Sequence, residues 1–159
     1  MKKIVFLDLE DTVIDEFNKV GFASLVNILP VRNFIAAEAP DAVRLFSFAL
    51  WSDHCIKQFE MFFQGRLSHG LNVQFDMTDP FTTEKLFKLC RRHGHFFEDD
   101  RECMLFHGKD YGFQRFIEMS PQFDDTEVIL VDDAVETKTI QYPNRGTAIR
   151  MVNVNDLLK

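Results

Sequence analysis

Two short apolar runs in this chain each lead straight into carboxylates. Ile4–Leu7 (IVFL) is followed by Asp8, Glu10 and Asp11, and Val128–Val131 (VILV) by Asp132 and Asp133. A short continuous apolar run fits a strand buried on both faces, the kind a parallel sheet requires. In an open α/β sheet, ligands bind beyond the carboxyl ends of the strands. If the two runs are parallel neighbours, their acids converge. Unpaired carboxylates within about 5 Å repel and raise one another's pKa. A divalent cation removes that repulsion, and hard oxygen donors suit Mg²⁺. Asp at a strand end also favours turns and helix caps, so either tip alone would be ordinary. Two tips on two buried strands point to a shared metal site.

The rest of the chain fits the same architecture. Residues 14–38 read as mainly helical, interrupted at Pro30. Val43–Trp51 reads as a second buried strand. Ser52 and Asp53 then cap a helix that carries Ile56, Phe59, Phe63 and Leu67 at helical spacing. Leu71–Phe75 alternates weakly, as a third strand would. A helix over 81–92 is capped near Thr82 and ends in basic residues that suit its dipole. Residues 93–103 read as polar loop, and 109–120 as a helix with Phe113, Phe116 and Ile117 on one face. Residues 143–146 (PNRG) form a turn, 148–152 a last strand and 156–159 a short last helix. Strands alternating with helices predict a doubly wound, Rossmann-like parallel α/β sheet flanked by helices, as one domain over residues 1–159.

Composition narrows the function. The net charge of −7 over 159 residues disfavours broad, charge-driven binding to nucleic acid or anionic membrane. Eighteen Phe against one Trp and two Tyr imply a core filled with phenyl rings. No stretch has the roughly 18 uncharged apolar residues of a spanning helix, and acids interrupt the first apolar run too early for a signal peptide. Cys55, Cys90 and Cys103, odd in number and widely spaced, suit reduced thiols and a cytoplasmic location. Cys90, His93, His95, Cys103 and His107 lie close in sequence, but none of their spacings is that of tightly paired zinc ligands. Buried thiol and surface imidazoles are the simpler reading, with a zinc-stabilised interaction module as an alternative.

The motifs resemble those of the haloacid dehalogenase superfamily of phosphotransferases, nearest to its carboxy-terminal-domain protein phosphatase branch. The stretch Asp8-Leu9-Glu10-Asp11-Thr12-Val13 resembles the first motif, Asp-x-Asp-x-Thr after an apolar strand. Ser52 after VRLFSFALW fits the second, with Ser47 as a rival. Lys109 fits the third, unless it is a solvated surface lysine. VILVDD fits the fourth. The resemblance implies a HAD-like fold and a Mg²⁺-dependent phosphatase. In that reading Asp8 is the nucleophile that forms an aspartyl-phosphate, and Glu10 the general acid and base. Ser52 and Lys109 bind the phosphoryl group, with Thr12 tying down the loop. Mg²⁺ would be held by Asp8, Asp133 and the backbone carbonyl of Glu10, with Asp132 as an outer or alternate ligand. Glu10 stands where the family carries Asp. Its carboxyl is displaced by about 1 Å, and such a misplacement can cost about 10²-fold in rate. A catalytically weak, regulatory protein-binding module on the same fold is therefore the second reading. The stretches from Val13 to Ala42 and from Leu67 to Phe106 are too short for a large cap domain. An open site suits a phosphorylated macromolecule, either a protein or a nucleic-acid end.

Overall fold

The computed structural model describes the backbone of residues 1–94 and 100–159 and the side chains of 1–94 and 108–159. Five strands form one sheet: β1 (Lys2–Leu7), β2 (Ala42–Leu45), β3 (Thr126–Asp132), β4 (Lys138–Tyr142) and β5 (Thr147–Asn153). Their order is β2-β1-β3-β5-β4. The first four strands in that order run parallel, and β4 lies antiparallel on the edge against β5. The two apolar runs are therefore the central neighbours. β1 pairs with β3 in register from Lys2–Thr126 to Leu7–Val131, which brings both acidic tips to the same edge.

Successive strand residues point to opposite faces, and both faces of this sheet are covered. Val5 and Leu7 face one core, Ile4 and Phe6 the other. The first core is closed by α1 (Ile28–Glu38), α2 (Asp53–Phe62) and α3 (Gln64–Leu71), through Val31, Ile35, Phe59 and Leu67. The second is closed by α4 (Thr83–Arg92) and α5 (Asp100–Glu118), through Leu86, Cys90, Phe113 and Ile117. Phenyl rings concentrate in this second core. Phe6 lies 5.4 Å from Phe113 and 5.5 Å from Phe123, and Phe46 lies 4.9 Å from Phe113, all edge-on. Each such pair contributes about 0.5–1.5 kcal/mol beyond its buried area. No helix among the described residues is long and apolar enough to cross a membrane.

Several segments depart from the sequence reading. Residues 14–27 form no α-helix. Ile14 bridges Glu10 and Leu25, and the N–H groups of Asp15 and Val26 donate to Ser24 and Val13 carbonyls at 3.0 and 2.9 Å. A small hairpin results, with a 3-10 turn at Phe17–Phe22. Asp15 holds it closed, its Oδ1 accepting from the N–H groups of Glu16 and Ser24 at 2.7 and 2.9 Å. Pro30 lies in the first turn of α1, where a missing N–H costs nothing, so it helps the helix begin. β2 stops at Leu45, and the chain turns through a Leu50 N–H to Ser47 carbonyl bond of 3.0 Å. Phe46 and Leu50 are still fully buried. An apolar run reports burial, and here a buried loop has the composition of a strand. The strand expected over 71–75 is one bridge, Phe75 to Val43, because α3 runs on to Leu71. β4 lies in a stretch to which the sequence reading assigns no element. The final segment is a 3-10 turn, Val154–Leu158. The helix expected from residue 109 starts at Asp100 and breaks at Gly108 (φ 71°, ψ −179°), so Lys109 opens its second segment.

Candidate functional site at the carboxyl edge of the sheet

The β1–β3 ladder continues one step past Leu7, with the Asp8 N–H donating to the Val131 carbonyl at 3.1 Å. That bond fixes where β1 ends. Asp8 and Asp132 emerge side by side, both buried. Ligand oxygens of Asp8, Asp132 and the half-buried Asp133 all lie within 4.8 Å of one another. Lys109 Nζ sits between two of these groups, in ion-pair contact with Asp8 Oδ1 and 2.9 Å from Asp132 Oδ2. Its ammonium lies 5.7 Å from the centre of the Phe48 ring. The kink at Gly108 lets Lys109 start a helical segment at the strand ends while its body packs in the second core.

The Asp8 and Asp132 carboxylates are further fixed. Thr12 Oγ1 donates to Asp8 Oδ2 at 3.0 Å. The bond is local because the N–H groups of Thr12, Val13 and Ile14 all converge on the Leu9 carbonyl at 3.0–3.2 Å, folding the chain back over Asp8. Asp11 takes the left-handed conformation (φ 60°) that this turn needs, one an acid tolerates better than most residues. Asp132 Oδ1 accepts from the Ala134 N–H at 2.8 Å. Asn153, at the end of β5, donates to the carbonyls of Asp133 and Val135 at 3.3 and 2.8 Å and so holds the loop that carries Asp133. Sequence reasoning missed Asn153. Its only local signal is an amide ending an apolar strand.

The electrostatics follow from burial. Desolvation pushes the Asp8 carboxyl up to about 7, with the Lys109 charge opposing and the Asp132 charge assisting. Asp132 is also raised by burial, against the pull of Lys109. Burial works against the Lys109 ammonium, but the two carboxylates outweigh it and its pKa rises. Three acids and one ammonium leave an excess of two negative charges when all are ionised. An all-oxygen donor set with that excess fits a hard divalent cation.

Not every anticipated residue joins this cluster. Glu10 turns toward the hairpin, and its Oε2 accepts from the Phe17 N–H at 3.1 Å. Ser52 does not end a strand. It stands seven residues past Leu45 as the N-cap of α2, and its side chain accepts no capping bond. Ser47 takes the strand-end position instead. The Phe46 N–H donates to the Leu7 carbonyl at 2.9 Å, carrying the β1–β2 pairing one step further, so buried Ser47 emerges beside the Asp8 end of β1. Its Oγ accepts from the Ala49 N–H at 3.3 Å. The signal for Ser47 is a lone hydroxyl inside an apolar run. Among the zinc candidates, Cys90 is buried in the second core and His93 is exposed. The side chains of His95, Cys103 and His107 lie outside the described residues. No family model, curated protein or solved structure matches the chain.

Proposed function

We propose that the protein is a Mg²⁺-dependent phosphatase of the haloacid dehalogenase type, uncapped, acting through an aspartyl-phosphate on Asp8. The observation that carries this reading is the cluster of Asp8, Asp132 and Asp133 with Lys109 between the first two. Three carboxylates gathered at the ligand-binding edge of a sheet, two of them on one half-buried ammonium, leave uncompensated charge that an ion pair formed only for stability would avoid. Asp8, Asp133 and the Glu10 carbonyl would hold Mg²⁺, with Asp132 beside them. When bound, the cation supplies charge that keeps Asp8 ionised and neutralises phosphoryl oxygens.

Asp8 attacks the phosphorus of a phosphate monoester, and the bond from phosphorus to the leaving oxygen breaks. Thr12 holds the Asp8 carboxyl in place. Lys109 offsets the charge that builds on the transferred group, and Ser47 is the hydroxyl best situated to donate to it. Glu10 protonates the leaving oxygen and then takes a proton from the water that cleaves the aspartyl-phosphate. The connections after β1 and after α3, too short for a large cap domain, favour a phosphorylated protein or nucleic-acid end as substrate. The bond between Glu10 and the Phe17 N–H supports the second reading, a regulatory protein-binding module with weak turnover, because a proton donor held by the hairpin serves the leaving group poorly. Hydrolysis of p-nitrophenyl phosphate with Mg²⁺ separates the two. The phosphatase reading expects activity that is lost in Asp8→Asn and raised in Glu10→Asp. Inert wild type together with inert Glu10→Asp would leave the binding reading.

A further inference from the structure

A second feature lies beside the β2 edge, on the face of the sheet that carries the second core. A pocket of about 310 Å³ opens between the loop at Asp79–Phe81, α4, and the segment joining α5 to β3. Phe123 in its wall precedes β3, whereas Asp132 ends that strand. The Phe123 end of the pocket is therefore a strand length from Asp132, about 20 Å for the seven residues of β3, whereas Arg44 at its other side pairs in register with Phe6 of β1.

The pocket is charged against the trend of the molecule. In a chain of net charge −7, its wall carries Arg44, Lys85, Lys88 and Arg92 against one acid, Asp79. Two of the cations brace the loop. Arg44 Nη2 donates to the Thr78 and Asp79 carbonyls at 2.6 and 2.9 Å. Lys85 Nζ donates to the Pro80 carbonyl at 2.7 Å and meets Asp79 Oδ1 at 3.1 Å. The other two face water. Lys88 and Arg92 follow Lys85 by three and seven positions, which puts all three on one side of α4. Both are exposed, and neither has an ion pair among the described residues. Beneath them the lining is apolar and aromatic, with Leu89 and Phe116 half-buried above the buried rings of Phe81 and Phe123.

A cationic wall over a ring-lined floor asks for a ligand with a phosphate at one end and a flat, weakly polar body at the other. Inorganic phosphate would leave the floor wet, and an acidic peptide offers no plane to lay on it. We propose that this pocket binds a nucleotide, free or as the terminal unit of a nucleic-acid strand. Lys88 and Arg92 take the phosphate, and the base rests against Leu89 and Phe116.

The test uses the full chain carrying Asp8→Asn, in EDTA, so that the acid cluster neither turns over nor binds metal. Calorimetry measures adenosine monophosphate, a short single-stranded DNA ending in the same base, inorganic phosphate and an oligoglutamate peptide. Stacking of one base leads us to expect the monophosphate to bind about tenfold tighter than inorganic phosphate. Lys88→Glu with Arg92→Glu should weaken that binding by about tenfold or more, with circular dichroism unchanged because both residues are exposed. Tighter binding of the strand than of the monophosphate would assign the site to strand ends, and equal binding to free nucleotide. Equal affinity for inorganic phosphate or the peptide, no measurable binding, or indifference to the double variant would each overturn the proposal.

Discussion

Asp8→Asn should stabilise the metal-free protein, and by an amount that grows with pH. Asp8 is 1% exposed, and burial carries its carboxyl from 3.8 to about 7. At about 1.4 kcal/mol per pH unit, the ionised form is disfavoured in the fold by about 4 kcal/mol. The sign follows from linkage. A carboxyl whose pKa is higher folded than unfolded stabilises the fold fully below pH 3.8, and that contribution is lost as pH rises to about 7. Asparagine keeps the neutral shape at every pH. The variant should therefore gain about 4 kcal/mol over wild type near pH 8 and about 1 kcal/mol near pH 4.5. For a domain of this size the gain near pH 8 corresponds to a rise in Tm on the order of 10 °C. Urea unfolding in EDTA at both pH values measures it, and adding Mg²⁺ at the higher pH should stabilise only the wild type. A variant less stable than wild type near pH 8, or a gain that ignores pH, would refute the argument that burial leaves Asp8 short of compensating charge.

Other expectations follow from the same geometry. Lys109→Met leaves Asp8 and Asp132 buried without their cation. It should destabilise the metal-free protein by about 3–5 kcal/mol near neutral pH, with part of the loss recovered on acidification, measured as urea midpoints. Ser47→Ala should lower phosphatase turnover by about tenfold or more, whereas Ser52→Ala should stay near wild type; the reverse order would restore Ser52 to the role its sequence suggested. Gly146 ends the 143–145 turn at φ 64°, and a β-carbon there would meet Asp125 Oδ1 at 2.4 Å. Gly146→Ala should cost about 1–3 kcal/mol in thermal unfolding, without changing metal affinity.

The sequence alone determined that the protein is α/β, that β1 and β3 are buried strands, and that carboxylates tip both. Those features are local: a short apolar run bounded by acids has few other uses, and helical spacing marks α2 and α4 without reference to the rest of the chain. Only the tertiary structure decided the rest. That β1 and β3 are direct neighbours, with Leu7 beside Val131, depends on pairing across more than a hundred positions. The place of Lys109 between Asp8 and Asp132 depends on a kink at Gly108 that a glycine in a helical stretch does not announce. That Ser47 and not Ser52 lies near the end of β2 was hidden because an apolar run measures burial and not conformation, so it could not reveal that β2 ends at Leu45 and turns. The hairpin that binds Glu10 is stitched by Asp15 to backbone groups that only folding brings near. Burial is announced by each residue's own neighbours in sequence. A site is set by neighbours in space, and those are chosen by packing.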